Sequence, residues 1–216
     1  MGTVLILAGI LGLAGYGMVS QLGSRAEPVP VGGVVDLALE GVSRLKIDGL
    51  WQIEVVSAAA AGRSVGLELP ERGVRSERDG DTLELENRGG GRRSARIILS
   101  QLRSIEIDGA SDISLAGFSS DTLEIDIDGA GSLSARDLRV DRLDLSSDGA
   151  VRIDLRESLV TNAALDVDGA ASLQLQMAGG ILEGELDGAA VLSFSGPVSA
   201  ERIDTGGLGS VQRVGE

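Results

Sequence analysis

Ile105-Glu-Ile-Asp-Gly-Ala-Ser-Asp-Ile113 is the stretch that decides the fold. Its tripeptide Asp-Gly-Ala, at 108–110, returns at 128–130, 148–150, 168–170 and 187–189, with spacings of 20, 20, 20 and 19. A period held that closely marks a repeat architecture. Around each glycine the apolar residues alternate: Ile105, Ile107, Gly109, Ser111, Ile113 and Leu115 share one parity, as do Leu123, Ile125, Ile127, Gly129 and Leu133. Alternation of period two means a strand with one buried face. Parity does not slip at the glycine, which reads as an inward-facing bend where a Cβ would collide with the rung above or below.

Strands at a constant twenty-residue interval, with no helix-length crossover between them, predict an all-β solenoid, a parallel β-helix of about 20 residues per rung. Weaker copies extend it in both directions. Leu45, Ile47, Gly49, Trp51, Ile53 and Val55 form a rung 60 residues before Gly109; Leu83, Leu85 and Gly89 fall 20 before it; Ile203, Gly207 and Val211 fall 19 after Gly188. The structural bend glycines are therefore Gly49, Gly109, Gly129, Gly149, Gly169 and Gly188. Trp51 stands in a column otherwise holding Ser111, Gly131, Val151 and Ala171. That predicts a cap over the core at an end of the stack, with a ligand-binding aromatic as the alternative.

Composition excludes much chemistry. The 216 residues hold no Cys and no His, which removes disulfides, thiolate zinc sites, a Cys nucleophile and histidine triads. With 33 acidic against 19 basic residues and a net charge of −14, phosphate backbones are repelled and nucleic acid is not an expected partner. No phosphate loop, nucleophile elbow or nucleotide fingerprint is present. No cofactor and no catalytic residue is expected.

Residues 3–22 carry no charge. Twenty residues at 1.5 Å rise span about 30 Å, the thickness of a bilayer hydrocarbon core. The n-region lacks Lys and Arg, and Ser24-Arg25-Ala26 is a poor cleavage site, so residues 1–24 read as a retained transmembrane anchor rather than a cleaved secretory signal. Gly9, Gly12 and Gly15 offer a helix-contact stripe within it. The Pro/Gly-containing residues 25–35 read as a linker, leaving 36–216 as the β domain. The expected location is the cell membrane, single-pass, with the body exported to the periplasmic or extracellular side.

On the outward parity, just before the bends, stand Glu106, Asp108, Glu124, Asp126, Asp128, Asp144, Asp148, Asp166, Asp168, Glu183, Glu185 and Asp187. In stacked rungs these twelve carboxylates share one face at a spacing of about 4.8 Å. Three readings stand beside one another: a solvated face whose Asp side chains also accept turn N–H groups, a docking surface for a basic partner, and calcium sites. The calcium β-roll nonapeptide is missing, and an exposed repetitive array lacks the differently tuned acid pair of a glycosidase. A second cluster, Arg72, Arg75, Arg78, Arg88, Arg92, Arg93 and Arg96, reads as exposed loop charge or as a contact for anionic headgroups or an acidic subunit.

The repeated hydrophobic-x-hydrophobic-Asp-Gly-Ala pattern, with the opening Leu45-Lys-Ile-Asp-Gly-Leu-Trp-Gln-Ile-Glu-Val55, resembles the head GIN domain, whose members are labelled auto-transporter adhesins. The resemblance covers 36–216 and implies an exported, right-handed parallel β-helix, often membrane-tethered, without assigned catalytic residues. The family usually shows Ser-Gly-Ser/Ala-Gly where this chain has Asp before glycine. The expected function is a non-enzymatic, membrane-anchored interaction module. Its main form is an accessory subunit capping the exported face of a complex of membrane proteins; a free-standing adhesin-like head and a calcium-binding β-solenoid are the alternatives.

Overall fold

In the computed structural model, residues 33–35, 39–69 and 73–215 are described. Eleven strands form one sheet: β1 (Gly33–Val35), β2 (Arg44–Ser57), β3 (Gly66–Leu69), β4 (Val74–Asp79), β5 (Thr82–Asn87), β6 (Arg93–Leu99), β7 (Ser104–Ala116), β8 (Ser119–Met177), β9 (Ile181–Ser195), β10 (Ala200–Thr205) and β11 (Ser210–Arg213). The single described helix, α1 (Ala58–Ala61), is one turn, started by Ser57 Oγ accepting from the Ala60 N–H and ended by Gly62 in the left-handed region.

Along the path from β5 and β6 through β2, β7, β8 and β9 to β10 and β11 the pairing is parallel and follows the repeat. Gly49 aligns with Gly109, Gly109 with Gly129, and Gly169 with Gly188. The 59 residues of β8 hold several steps in one element, bending at corners without losing register. From Ala163 onward the offset to β9 is 19, so the single missing residue falls before Leu182.

The bend glycines explain why the repeat is spelled as it is. All six carry φ between 86° and 135°, a region that glycine enters readily and other residues do not. At Gly129 and Gly149 an added Cβ would lie inside 3.0 Å of the previous glycine's carbonyl oxygen. Their backbones are half-buried or exposed, not in the core. The missing Cβ therefore lets corners stack on corners; it does not make room inside.

Inner-parity side chains form continuous apolar columns. Leu83, Leu45, Ile105 and Ile125 align in one, and Ile97, Val55, Leu115 and Ala135 in another. All are buried in one contiguous cluster running from Leu39 to Phe194. Burying a Leu or Ile is worth about 1.5–3 kcal/mol, so the columns carry the stability that a chain of this charge needs.

Three expectations are corrected. First, the sheet is mixed: β1 pairs with β3, β3 with β6, and β4 with β5, all antiparallel. The molecule is all-β, but not the expected right-handed parallel β-helix. The cause lies between residues 58 and 100, where the period breaks, β4 and β5 form a hairpin, and β3 lies antiparallel beside β6. Second, no described helix is long and apolar enough to cross a membrane. The expected anchor, with Gly9, Gly12 and Gly15, lies outside the described residues, and the end of the expected linker, Gly33–Val35, is strand β1. Third, chain order is not stack order. β2 pairs directly with β7, while β5 and β6 pair with its other edge. Trp51 therefore lies between Arg93 and Ser111, fully buried with its indole N–H donating to Asp48 O at 2.8 Å. It is a core residue of an inner rung, not an end cap. Asn87, not Gly89, faces the Gly49 corner.

Candidate functional site

Three outward positions precede each corner, and parallel register turns them into three columns. The position next to the glycine holds Glu86, Asp48, Asp108 and Asp128, aligned in that order, and then Asp168 beside Asp187. Asp148 lies between, since Gly149 sits on Gly129 and Gly169 on Gly149. Two residues earlier the column runs Glu84, Lys46, Glu106 and Asp126, with Asp166 beside Glu185 and then Asp204. The third column holds Glu124, Asp144 and Glu183, flanked at its ends by Arg44 and Arg202. All twelve predicted carboxylates are exposed or half-buried. The sequence reading left out Asp48, Glu84, Glu86 and Asp204. The Asp48-Gly49 dipeptide was the available signal for the first; the hairpin insertion hid the register of Glu84 and Glu86.

Like charges at about 4.8 Å repel by about 1 kcal/mol in water and about 3–4 kcal/mol at an effective dielectric of 20. The consequence is visible at Asp126. Partial burial, then the charges of Glu106, Glu124, Asp108 and Asp128, raise its carboxyl above the usual carboxylate range. Basic groups relieve only part of the array: Lys46 bonds Glu106 at 2.5 Å, Arg142 lies 2.7 Å from Asp144, Arg88 2.8 Å from Glu86, and Arg202 3.7 Å from Glu183. Lys46 is raised in turn, chiefly by its hydrogen bond to Glu106. None of the twelve carboxylates accepts a turn N–H among the described residues, so the expected turn-capping role is not filled.

In the middle of the face, small residues open a groove of about 260 Å³. Ser146, Ala164 and Gly184 leave it between Glu124, Asp126, Asp144 and Asp166. Among the described residues no group of three or more carboxylates is arranged to hold a metal ion, and the calcium reading gains no support.

The arginine cluster is largely spent at the hairpin end of the molecule. Arg75 pairs with Glu77, Arg88 with Glu86, Arg92 with Asp112 and Arg96 with Glu54, while Arg78 donates to the carbonyls of Glu40 and Gly80. Arg93 is half-buried beside Gly73 and Gly89, and Arg72 lies outside the described residues.

Several solved structures align with the chain. A crystal structure of a putative adhesin from Bacteroides fragilis NCTC 9343 aligns with TM-score 0.66 at 14% identity, over 84% of this chain and 96% of that one. A putative adhesin from Parabacteroides merdae ATCC 43184 aligns at TM-score 0.47 and 14% identity, over 84% and 95%. A putative lipid binding protein from Parabacteroides distasonis ATCC 8503 aligns at 0.47 and 12%, over 84% and 96%. Among curated proteins none matches the chain. The family model described as "putative auto-transporter adhesin, head GIN domain" matches residues 35–159. That match spans more than half of the sequence, and it agrees with the Asp-Gly-Ala steps and with the fold shared with the Bacteroides protein: the chain belongs to the head GIN domain family.

Proposed function

We propose that this protein is a non-enzymatic, adhesin-like head, exported from the cell, whose acidic face docks a cationic surface on its partner. The observation that carries the reading is the alignment of the three carboxylate columns. Partial burial and then their stacked charges raise Asp126, and basic side chains reach only a few of them, at Glu86, Glu106, Asp144 and Glu183. Such a face gains free energy when a cationic surface replaces water, and it speeds encounter with one. Family membership favours the free-standing head over the accessory subunit of a membrane complex. The family and the neighbours carry adhesin or lipid-binding names, none of them an enzyme's.

The test compares two variants of equal charge. One replaces Asp126, Asp128, Asp148 and Asp168 with Ser; the other replaces Asp79, Asp121, Asp141 and Glu157, exposed acids elsewhere, with Ser. Binding to immobilised poly-lysine is measured between 50 and 300 mM salt. The face variant is expected to lose about tenfold or more in affinity, a difference of about 1.4 kcal/mol, and to show a shallower salt dependence. The control variant should bind within about twofold of the parent. Equal losses would reduce the face to net charge alone. A gain in melting temperature of the parent with millimolar Ca²⁺, absent from the face variant, would instead support the calcium reading.

A further inference from the structure

The two ends of the stack are built differently. At one, β4 folds back over β5, and β1 and β3 lie antiparallel beside β6. At the other, β10 and β11 each pair with β9 on one edge only, and no described strand pairs with the opposite edge. Apolar side chains there are poorly covered: on the inner parity Ile203 and Val211 are half-buried, and on the outward parity Leu208 is 83% exposed and Val214 53%. An open strand edge beside uncovered apolar side chains is a template for another strand.

The hydrogen bonds decide which groups of β10 are free. Gly206 N–H donates to Leu186 O at 2.9 Å, so even-numbered residues direct their backbone groups to β9. By alternation Glu201, Ile203 and Thr205 direct theirs to the open edge. A second, antiparallel β10 can meet them only in registers that place odd residues opposite odd residues. Setting Glu201 opposite Ile203 brings Arg202 against Arg202; setting Ile203 opposite Thr205 brings Asp204 against Asp204. Only Ile203 opposite Ile203 pairs Arg202 with the second copy's Asp204, twice. Those contacts fall at non-hydrogen-bonded sites, where Cα atoms come within about 4.5 Å and side chains lie closest.

We propose that β10 pairs antiparallel with β10 of a second copy about a two-fold axis at Ile203, joining two stacks end to end. The interface is isologous, so every contact is made twice and the assembly closes at two copies. Arg202, which leans toward Glu183 in the single chain at 3.7 Å, turns to Asp204 across the joint.

The mass of the full chain in mild detergent, at physiological salt, tests this by sedimentation or light scattering. The parent is expected to be a dimer. Arg202→Asp and Asp204→Arg each set like charges in contact twice and should shift the protein to monomer, with unchanged circular dichroism. The double swap restores both pairs and should restore the dimer. A cross-link reads the register directly, because the chain has no other cysteine. Ile203→Cys places two Cα atoms about 5.5 Å apart, a disulfide distance, and should oxidise to a covalent dimer. Arg202→Cys, facing Asp204, should do so far more slowly. A monomeric parent, dimers unaffected by the single reversals, failure of the swap, or equal cross-linking of the two cysteine variants would each overturn the proposal.

Discussion

Replacing Gly149 with Val tests the corner column most directly. Two penalties act there, and the structure separates them. The backbone stands at φ 135°, where a non-glycine residue costs about 1–3 kcal/mol. A Cβ would also lie inside 3.0 Å of Gly129 O, a backbone atom that cannot swing aside. The two strands would have to part by about 1 Å, stretching ladder hydrogen bonds worth about 0.5–1.5 kcal/mol each. Together these predict a loss of about 3–5 kcal/mol, or roughly 6–20 °C in Tm for a chain of this size. Two controls bracket it. Ala150→Val, exposed next door, should fall within about 0.5 kcal/mol of the parent. Gly179→Ala, at φ 113° with nothing within 4 Å of the added Cβ, should cost the backbone strain alone, about 1–3 kcal/mol. Urea melts of the three variants supply the measurement. If Gly149→Val and Gly179→Ala lose the same amount, close stacking at the corners contributes nothing and the argument fails.

Ser147 is buried on the inner parity, in line with Ile107 and Ile127, and its hydroxyl has no partner. Ser147→Ala removes an unsatisfied polar group and should raise the urea midpoint by the equivalent of about 1 kcal/mol; a lower midpoint would show that the hydroxyl is satisfied. Asp126 bears on pH. Because its carboxyl is raised in the folded state, that state holds the proton more tightly than the unfolded chain. Its contribution therefore falls as pH rises from the ordinary carboxylate range through the raised value. Asp126→Asn should abolish that loss and stabilise the protein at pH 7 by about 0.5 kcal/mol or less, given solvent screening. The difference from the parent should vanish well below the carboxylate range; a pH-independent difference in Tm would refute the charge explanation.

The repeated stretch was readable because steric demand and spelling coincide there. Each corner needs a residue without Cβ, each inner position an apolar side chain, and strict twenty-residue spacing carries both, so register from Ser104 onward followed from sequence. The N-terminal third was not readable in the same way. There the period breaks at Ala58, and whether Leu83 and Leu85 lie before or after Leu45 in the stack depends on how the hairpin of β4 and β5 closes, which local alternation does not encode. Trp51 shows the difference. Its bulk suggested a terminal rung, yet β6 covers it, and the indole finds Asp48 O. The acidic face was legible as a pattern of outward parity. Its extension through Asp48, Glu84 and Glu86 depended on that same hidden register, and the groove beside Ser146 and Ala164 appears only once small side chains are seen as neighbours across rungs.

Because each corner in the repeated stretch touches only the corners on either side of it, the number of steps there is not fixed. Excising residues 129–148 would remove one whole turn and bring Asp128 directly before Gly149, with every inner and outer position still in phase. Duplicating the same segment would add a turn. Gene duplication or loss in units of twenty codons can thus lengthen or shorten this protein by about 4.8 Å at a time, whereas a one-codon slip inside a rung would turn its core outward. The acidic face grows or shrinks with each unit, so the reach and total charge of the surface can be tuned without altering how any single turn is made.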